Sequence, residues 1–221
     1  MIHTEAVNLS SPLASLLPEA DAGALTVLAQ TETPLTGRRV AELAGEHTHP
    51  STLRALNRLV AQGLVTVEPA GRAKLFRLNR EHLLSPSVLS MVGAAQELRD
   101  RLSEAISSWG IRPLHASLYG SVARGEAGAS SDIDVLVVRP DLSSAEQQHL
   151  WDGQLADLEE RVYSWTGNDL SWLDTTVDDL RRAQTAREPL FESWRDDAIR
   201  LLGPSLTTLL REPAPKTRRR R

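Results

Sequence analysis

The sequence predicts an α+β protein built from two modest domains, and three observations predict it. The front holds three amphipathic helical stretches followed by two alternating runs. A long apolar-striped stretch comes next. Behind it, two short apolar runs, Leu114 to Tyr119 and Val135 to Val138, flank a glycine turn and a pair of aspartates. At 221 residues the chain is long enough for two cores of that size.

Composition narrows the classes. Hydrophobic residues make up 41% and charged residues 24%, as in proteins that bury a core, and no apolar run approaches the ~20 residues of a membrane span. The first residues lack the basic start and apolar core of a signal peptide, and there is no cysteine, which excludes disulfides and cysteine-ligated zinc. A cytoplasmic protein without membrane partners is the expectation. The net charge of −4 is uneven: residues 1–80 carry +1, residues 81–210 carry −10 and residues 211–221 carry +5. An acidic middle repels a phosphate backbone unless cations sit in it, whereas the front can still present a basic face.

Residues 1–17 read as a flexible N-terminus. From Pro18 the apolar positions Ala24, Leu25, Val27 and Leu28 predict a helix ending near Gln30. Thr33-Pro34-Leu35-Thr36 is a breaker and cap before a short helix, Arg38 to Ala44, which Gly45 closes. His47 to Ser51 read as a polar turn; with no further ligand beside them, His47 and His49 are turn residues and not a metal pair. A third helix carries Leu53, Leu56, Leu59 and Val60 and stops at Gly63. Leu64 to Glu68 and Lys74 to Leu78 then alternate around Pro69-Ala70-Gly71-Arg72, a hairpin.

In this order the elements of residues 18–80 resemble the winged helix-turn-helix domains of bacterial transcriptional repressors. The resemblance implies that the third helix enters the DNA major groove, with Ser51, Thr52, Arg54, Asn57 and Arg58 as candidate contacts and Arg72 and Lys74 on the wing for phosphate. The other reading is a solvated helix face on a module that packs against a partner protein. Residues 81–110 then form a connector and a single connecting helix, with Val88, Leu89, Val92, Ala95, Leu98, Leu102 and Ile106 on one stripe.

The chemistry lies in residues 111–210. Gly120-Ser121 sits where a strand gives way to a helix, a place where free backbone N–H groups favour an anion and a glycine lets phosphate approach. Asp132 and Asp134, two apart on a strand, project from one face while Ile133 and Val135 to Val138 are apolar. Like charges that close repel, and a divalent cation removes that cost. Mg²⁺ takes oxygen ligands from one or two carboxylates plus substrate phosphates.

Gly120-Ser121-Val122-Ala123-Arg124-Gly125 and, with ten residues between Ser121 and Asp132, Ser131-Asp132-Ile133-Asp134-Val135 resemble the signature of the polymerase-beta-like nucleotidyltransferase superfamily, in particular its small bacterial minimal members. The resemblance implies an α/β domain with a small mixed sheet. In it Gly120, Ser121 and Ser131 hold the nucleoside triphosphate, ATP being the expected one, and Asp132 and Asp134 bind Mg²⁺. Arg124 either lies near the phosphates or fixes the loop through a salt bridge. A third carboxylate is implied as metal ligand or base, and Asp169 at the start of the next strand candidate fits best. Asn168 departs from the apolar residue preferred there, and Asp174, Asp178 and Asp179 stand nearby, the last two also suited to capping the helix toward Gln184.

Residues 189–210 read as two helical pieces around Leu201-Leu202-Gly203-Pro204. Residues 211–221 read as a basic disordered tail. All five tryptophans fall at or after Trp109; Trp165 and Trp172 either stack on a substrate or belong to the core. The expected function is Mg²⁺-dependent transfer of a nucleoside monophosphate to a hydroxyl of a protein, tRNA or small-molecule acceptor, with a module for DNA or a partner. The rival is a transcriptional regulator whose second domain senses a nucleotide or forms a homodimer without catalysis.

Overall fold

A computed structural model describes residues 6–45, 48–186 and 188–211. The chain divides into two compact units, Asn8–Ala95 and the remainder, which includes Ala6 and Val7.

In the first unit the helices α1 (Glu19–Ala29), α2 (Gly37–Ala44) and α3 (His49–Ala61) enclose a core of leucines and valines with Phe76 of the hairpin. The Thr36 hydroxyl accepts from the Arg39 N–H at 3.2 Å and caps α2, as its position before the helix suggests. The hairpin is β2 (Val65–Ala70) and β3 (Ala73–Leu78), and Leu35–Thr36 add a two-residue strand, β1, in the order β1-β3-β2, all antiparallel. Two residues show no periodicity, so β1 could not be read as a strand. α3 begins at His49 with Pro50 in its first turn, so His49 to Ser51 are helical and not a turn; His47 lies outside the described residues.

Two further expectations are corrected. Residues 6–17 are not loose: Leu9 and Leu13 are buried, and Pro12–Ser15 form a short 3-10 helix, an element too brief for a periodic signal. Residues 1–5 and the tail from 212 onward lie outside the described residues. The single connecting helix is two, α4 (Ser85–Val92) and α5 (Ala94–Ser107), because the chain leaves helical geometry at Gly93. Val88 packs into the first core, whereas Leu98, Leu102 and Ile106 are buried in the second unit.

The second unit is a four-stranded mixed sheet in the order β6-β5-β4-β7. Its elements are β4 (His115–Tyr119), α6 (Gly120–Arg124), β5 (Ile133–Val138), α7 (Ala145–Thr166), β6 (Leu170–Thr175), α8 (Val177–Ala186), α9 (Pro189–Asp196), β7 (Ile199–Leu202) and α10 (Leu206–Arg211). β5 is antiparallel to β4 and parallel to β6, and β4 is antiparallel to β7. The two helical pieces expected around Leu201-Leu202-Gly203-Pro204 are α9 and α10, and β7 lies between them as a strand that periodicity did not mark. Four residues, Ile199-Arg200-Leu201-Leu202, suit either element until β4 offers an edge.

Leu136 and Val138 face a core with Leu180, Phe191, Trp194, Leu206 and Leu209. On alternate positions Val135 and Val137 are fully buried, and Trp172 and Asp174, their partners in register on β6, lie among Trp109 and Trp151. Trp172 is thereby a neighbour of Trp109, and Trp165 lies under the guanidinium groups of Arg101 and Arg161, 5.6 and 5.1 Å from its ring centre. Among the described residues no helix is long and apolar enough to cross a membrane.

Candidate active site

Strand β4 ends at Tyr119 and the chain turns at once into α6. Gly120 makes that turn with φ +71°, in the left-handed region that glycine tolerates. A Cβ at this position would overlap Asp134 Oδ2 and lie 3.1 Å from Asp134 Cγ. The missing side chain is therefore what lets the Asp134 carboxylate stand against the turn. α6 lasts five residues and stops at Gly125, also at φ +71°, whose N–H bonds the Val122 carbonyl.

Asp134 lies on β5 opposite Tyr119 and level with Ser171 of β6. Burial first, and the neighbouring Asp132 second, push its carboxyl above the ordinary carboxylate range, with Arg124 opposing. The Tyr119 phenol is raised by burial and by Asp134, and its ring packs edge-on against Trp194, centres 6.2 Å apart. Tyr119 and Ser171 carry no motif of their own; only the strand register brings them to Asp134.

The loop from Gly125 to Asp132 is closed by Ser131, whose hydroxyl accepts from the Gly128 N–H at 3.0 Å. Arg124 pairs with Glu126 at 2.8 Å, and that bond is the main cause raising its pKa; Asp134 adds a smaller electrostatic effect. That ion pair is one of the two expectations for Arg124, whose guanidinium also lies close enough to Asp134 to act on its carboxyl.

Asn168, which stood out as a departure, has a structural reason. Its side chain is buried, and its Nδ2 donates to the Ser131 carbonyl at 3.1 Å and more weakly toward the Ala129 carbonyl at 3.5 Å. An apolar residue here would leave those carbonyls without that donor. Asn168 is a positioning residue for the loop before Asp132, a role that its partner 37 residues earlier reveals and its own sequence neighbours do not.

The third carboxylate is not gathered in. Asp169 comes one residue ahead of the Ile133–Leu170 pair, and its carbonyl accepts from the Ile133 N–H at 2.9 Å. Its side chain is exposed and lines a shallow depression with Glu159, Glu160 and Tyr163. Asp174 cannot substitute: it pairs in register with Val137, on the face opposite Asp134, and accepts from Trp151 Nε1 at 3.1 Å, with Arg139 Nε at 3.4 Å. Asp179 lies in the first turn of α8, which Thr176 caps: the Thr176 hydroxyl accepts from the Asp179 N–H at 3.2 Å and donates to the Asp179 carboxylate at 2.7 Å. Asp178 pairs with Arg181 at 3.2 Å. Among the described residues no three carboxylate or imidazole groups converge to hold a metal ion.

The turn and the two aspartates lie within a stretch that is similar to a known family. Residues 96–194 match the family model described as a nucleotidyltransferase domain. The matched segment contains Gly120, Ser121, Asp132, Asp134 and Asp169. A solved structure described as "Crystal structure of the toxin-antitoxin with AMP-PNP" is similar at 19% identity over 51% of this chain and 80% of that one, with a TM-score of 0.35. No curated protein matches the sequence.

In the first unit the candidate DNA contacts part company. Arg54 and Asn57 are exposed on α3 at helical spacing, Ser51 is partly exposed, and Arg72 and Lys74 are exposed on the hairpin. Thr52 is fully buried with its hydroxyl on the Thr48 carbonyl, so it presents nothing to a groove. Arg58 pairs with the buried Asp21 at 2.5 Å and lines a largely apolar cavity of about 420 Å³ with Leu13, Leu25 and Met91. Thr52 is thereby withdrawn from the outward face, whereas Arg58 stays exposed beside its ion pair. Helical spacing marks a stripe, and only packing shows where its edges lie.

Proposed function

We propose that this protein is an Mg²⁺-dependent nucleotidyltransferase that moves a nucleoside monophosphate from a nucleoside triphosphate to an acceptor hydroxyl, with a winged helix-turn-helix module in front. The observation that carries the reading is the Gly120 turn, which has no room for a side chain because Asp134 occupies that space beside Asp132.

The residues fit the metal. Two neighbouring carboxylates, one half-buried and held above its ordinary pKa by burial and by the other, form a hard oxygen donor set that a divalent cation would stabilise. Asp132 and Asp134 would hold Mg²⁺, and Asp169 is the candidate for the third carboxylate. When bound, Mg²⁺ neutralises charge on the phosphate oxygens. The chain's own part is positioning. Backbone at Gly120 lets the phosphates approach, the Ser121 hydroxyl donates to a phosphate oxygen, and Asn168 and Ser131 hold the loop that aims Asp132. In the transfer, the acceptor oxygen bonds to the α-phosphorus, the bond to the β-phosphate oxygen breaks and pyrophosphate leaves. The acceptor's proton leaves to water, since Asp169, the carboxylate the resemblance implies, lies exposed with Glu159 and Glu160.

Incubation with labelled triphosphate, Mg²⁺ and cell lysate identifies the acceptor class among proteins, tRNA and small molecules. Asp132→Asn abolishes labelling while far-UV circular dichroism stays unchanged; labelling at the wild-type rate would sink the mechanism.

A second reading draws on the side chain of Asp169, which lies among Glu159, Glu160 and Tyr163. In it the nucleotidyltransferase segment binds a nucleotide without transfer, and the first unit acts as a transcriptional regulator. The exposed Arg54 and Asn57 would read base edges and Arg72 and Lys74 would hold phosphate, so Arg54→Ala weakens selective DNA binding by ~1–3 kcal/mol. Equal affinity for selected and bulk DNA at physiological salt rejects it.

A further inference from the structure

The largely apolar cavity of about 420 Å³ in the first unit is used by neither reading of the function. It lies between the short helix at Pro12–Ser15, α1, α3 and α4, all within Asn8–Ala95. Ten of its fourteen lining residues are apolar, so a hydrocarbon body placed there exchanges water for leucine, valine and methionine side chains. Small-molecule sites have this lining, with a few polar groups among apolar ones and volumes of about 300 to 1,000 Å³. Leu13, Leu25 and Leu59 are buried on its closed side, whereas Leu16 and Leu84 are 75% and 53% exposed at its mouth.

The polar end is Asp21 on α1 and Arg58 on α3. Asp21 Oδ2 accepts from Arg58 Nη2 at 2.5 Å. The other oxygen, Oδ1, accepts from no group among the described residues, although the Asp21 side chain is only 10% exposed. A carboxylate this buried has room for a further donor, and the open part of its surface lies on the cavity wall. The ion pair is neutral as a unit, which decides the charge of that donor. An ammonium group would meet the Arg58 guanidinium, and a carboxylate would meet Asp21. A hydroxyl meets both without that penalty, its O–H donating to Asp21 Oδ1 and its oxygen accepting from an Arg58 N–H. The other two polar lining residues, Gln62 and Ser87, add no charge.

We propose that this cavity binds an uncharged amphiphile, a hydrocarbon body carrying one hydroxyl group, with the hydroxyl at the Asp21–Arg58 pair. The site belongs to the first unit alone and depends on neither nucleotide transfer nor DNA binding.

The test uses the full-length protein at neutral pH with N-phenyl-1-naphthylamine, an uncharged apolar dye whose fluorescence rises out of water. The dye signal saturates, and 1-octanol, octylamine and octanoate are compared as competitors. On the wild type 1-octanol competes about tenfold or more tightly than either ion, the worth of one charge-assisted hydrogen bond. Arg58→Met, a change at an exposed position, leaves Asp21 uncompensated and makes octylamine the tightest competitor. Asp21→Asn leaves Arg58 uncompensated and makes octanoate the tightest. Far-UV circular dichroism reports the folding of each variant, and if Asp21→Asn does not fold, Arg58→Met decides. Leu16→Gln and Leu84→Gln, both at exposed positions, each weaken dye binding about threefold or more. ATP does not compete. A dye signal that does not saturate, either ion competing as well as 1-octanol on the wild type, an unchanged order of competitors on Arg58→Met, or competition by ATP overturns the proposal. Dye release that tracks dimer formation as protein concentration rises assigns this face to a second copy of the chain and overturns it as well.

Discussion

Gly120→Ala and Gly125→Ala make a matched pair. Both positions sit at φ +71°, so an alanine at either one carries the left-handed backbone penalty of about 1–2 kcal/mol. Their surroundings differ. A Cβ at Gly125 meets nothing within 4 Å, whereas one at Gly120 overlaps Asp134 Oδ2. The overlapping atom is the end of a side chain, so the carboxylate rotates away at a further cost of about 1 kcal/mol, and the fold survives. The site does not, because a displacement of about 1 Å in a positioning group costs on the order of 100-fold in rate. Urea unfolding should therefore place Gly120→Ala about 1 kcal/mol below Gly125→Ala. Labelled-nucleotide transfer should separate them by about two orders of magnitude. Equal transfer by the two variants would refute the claim that Gly120 exists to make room for Asp134.

Three further outcomes follow from the second unit. Burial and Arg200 depress the His115 pKa, so between its folded value and the ordinary ~6.5 the unfolded chain binds a proton that the folded chain does not. Stability is then full above pH ~6.5 and falls as pH drops through that value, by at most about 1.4 kcal/mol per pH unit; urea midpoints across this window should show a slope that His115→Gln removes. Asn168→Ala deletes the donor to the Ser131 carbonyl, costs about 1–2 kcal/mol and speeds amide exchange across Gly128 to Asp132; unchanged exchange there would exclude the positioning role. Thr176→Ala removes the acceptor that caps α8 and lowers stability by about 0.5–2 kcal/mol in thermal or urea unfolding, without altering nucleotide binding at the Gly120 turn.

The site was legible where its parts are close in sequence. A strand, a Gly-Ser turn, a short loop and two aspartates at spacing two declare an anion turn beside a cation pair, and residues that close can be read without the fold. The helices α1, α2 and α3 and the β2–β3 hairpin were legible for the same reason, since apolar spacing and turn residues are local signals. Short elements were not: β1 has two residues and β7 four, and both exist because a neighbouring strand supplies hydrogen-bond partners. Gly93 interrupts a stripe that otherwise reads as one helix, since spacing does not report where the backbone departs from helical geometry.

The sequence by itself determined that Gly120, Asp132 and Asp134 stand side by side, because the backbone geometry of one turn and one strand is enough to set those groups together. Tertiary structure decided everything that depends on a distant partner. Asn168 became a clamp only when Ser131, 37 residues earlier, came within 3.1 Å. Arg58 was drawn to Asp21 on another helix, Asp174 was turned to the face opposite Asp134 by strand register, and Asp169 was left among α7 carboxylates. Local geometry sets which groups exist at a turn; packing and register set which groups meet.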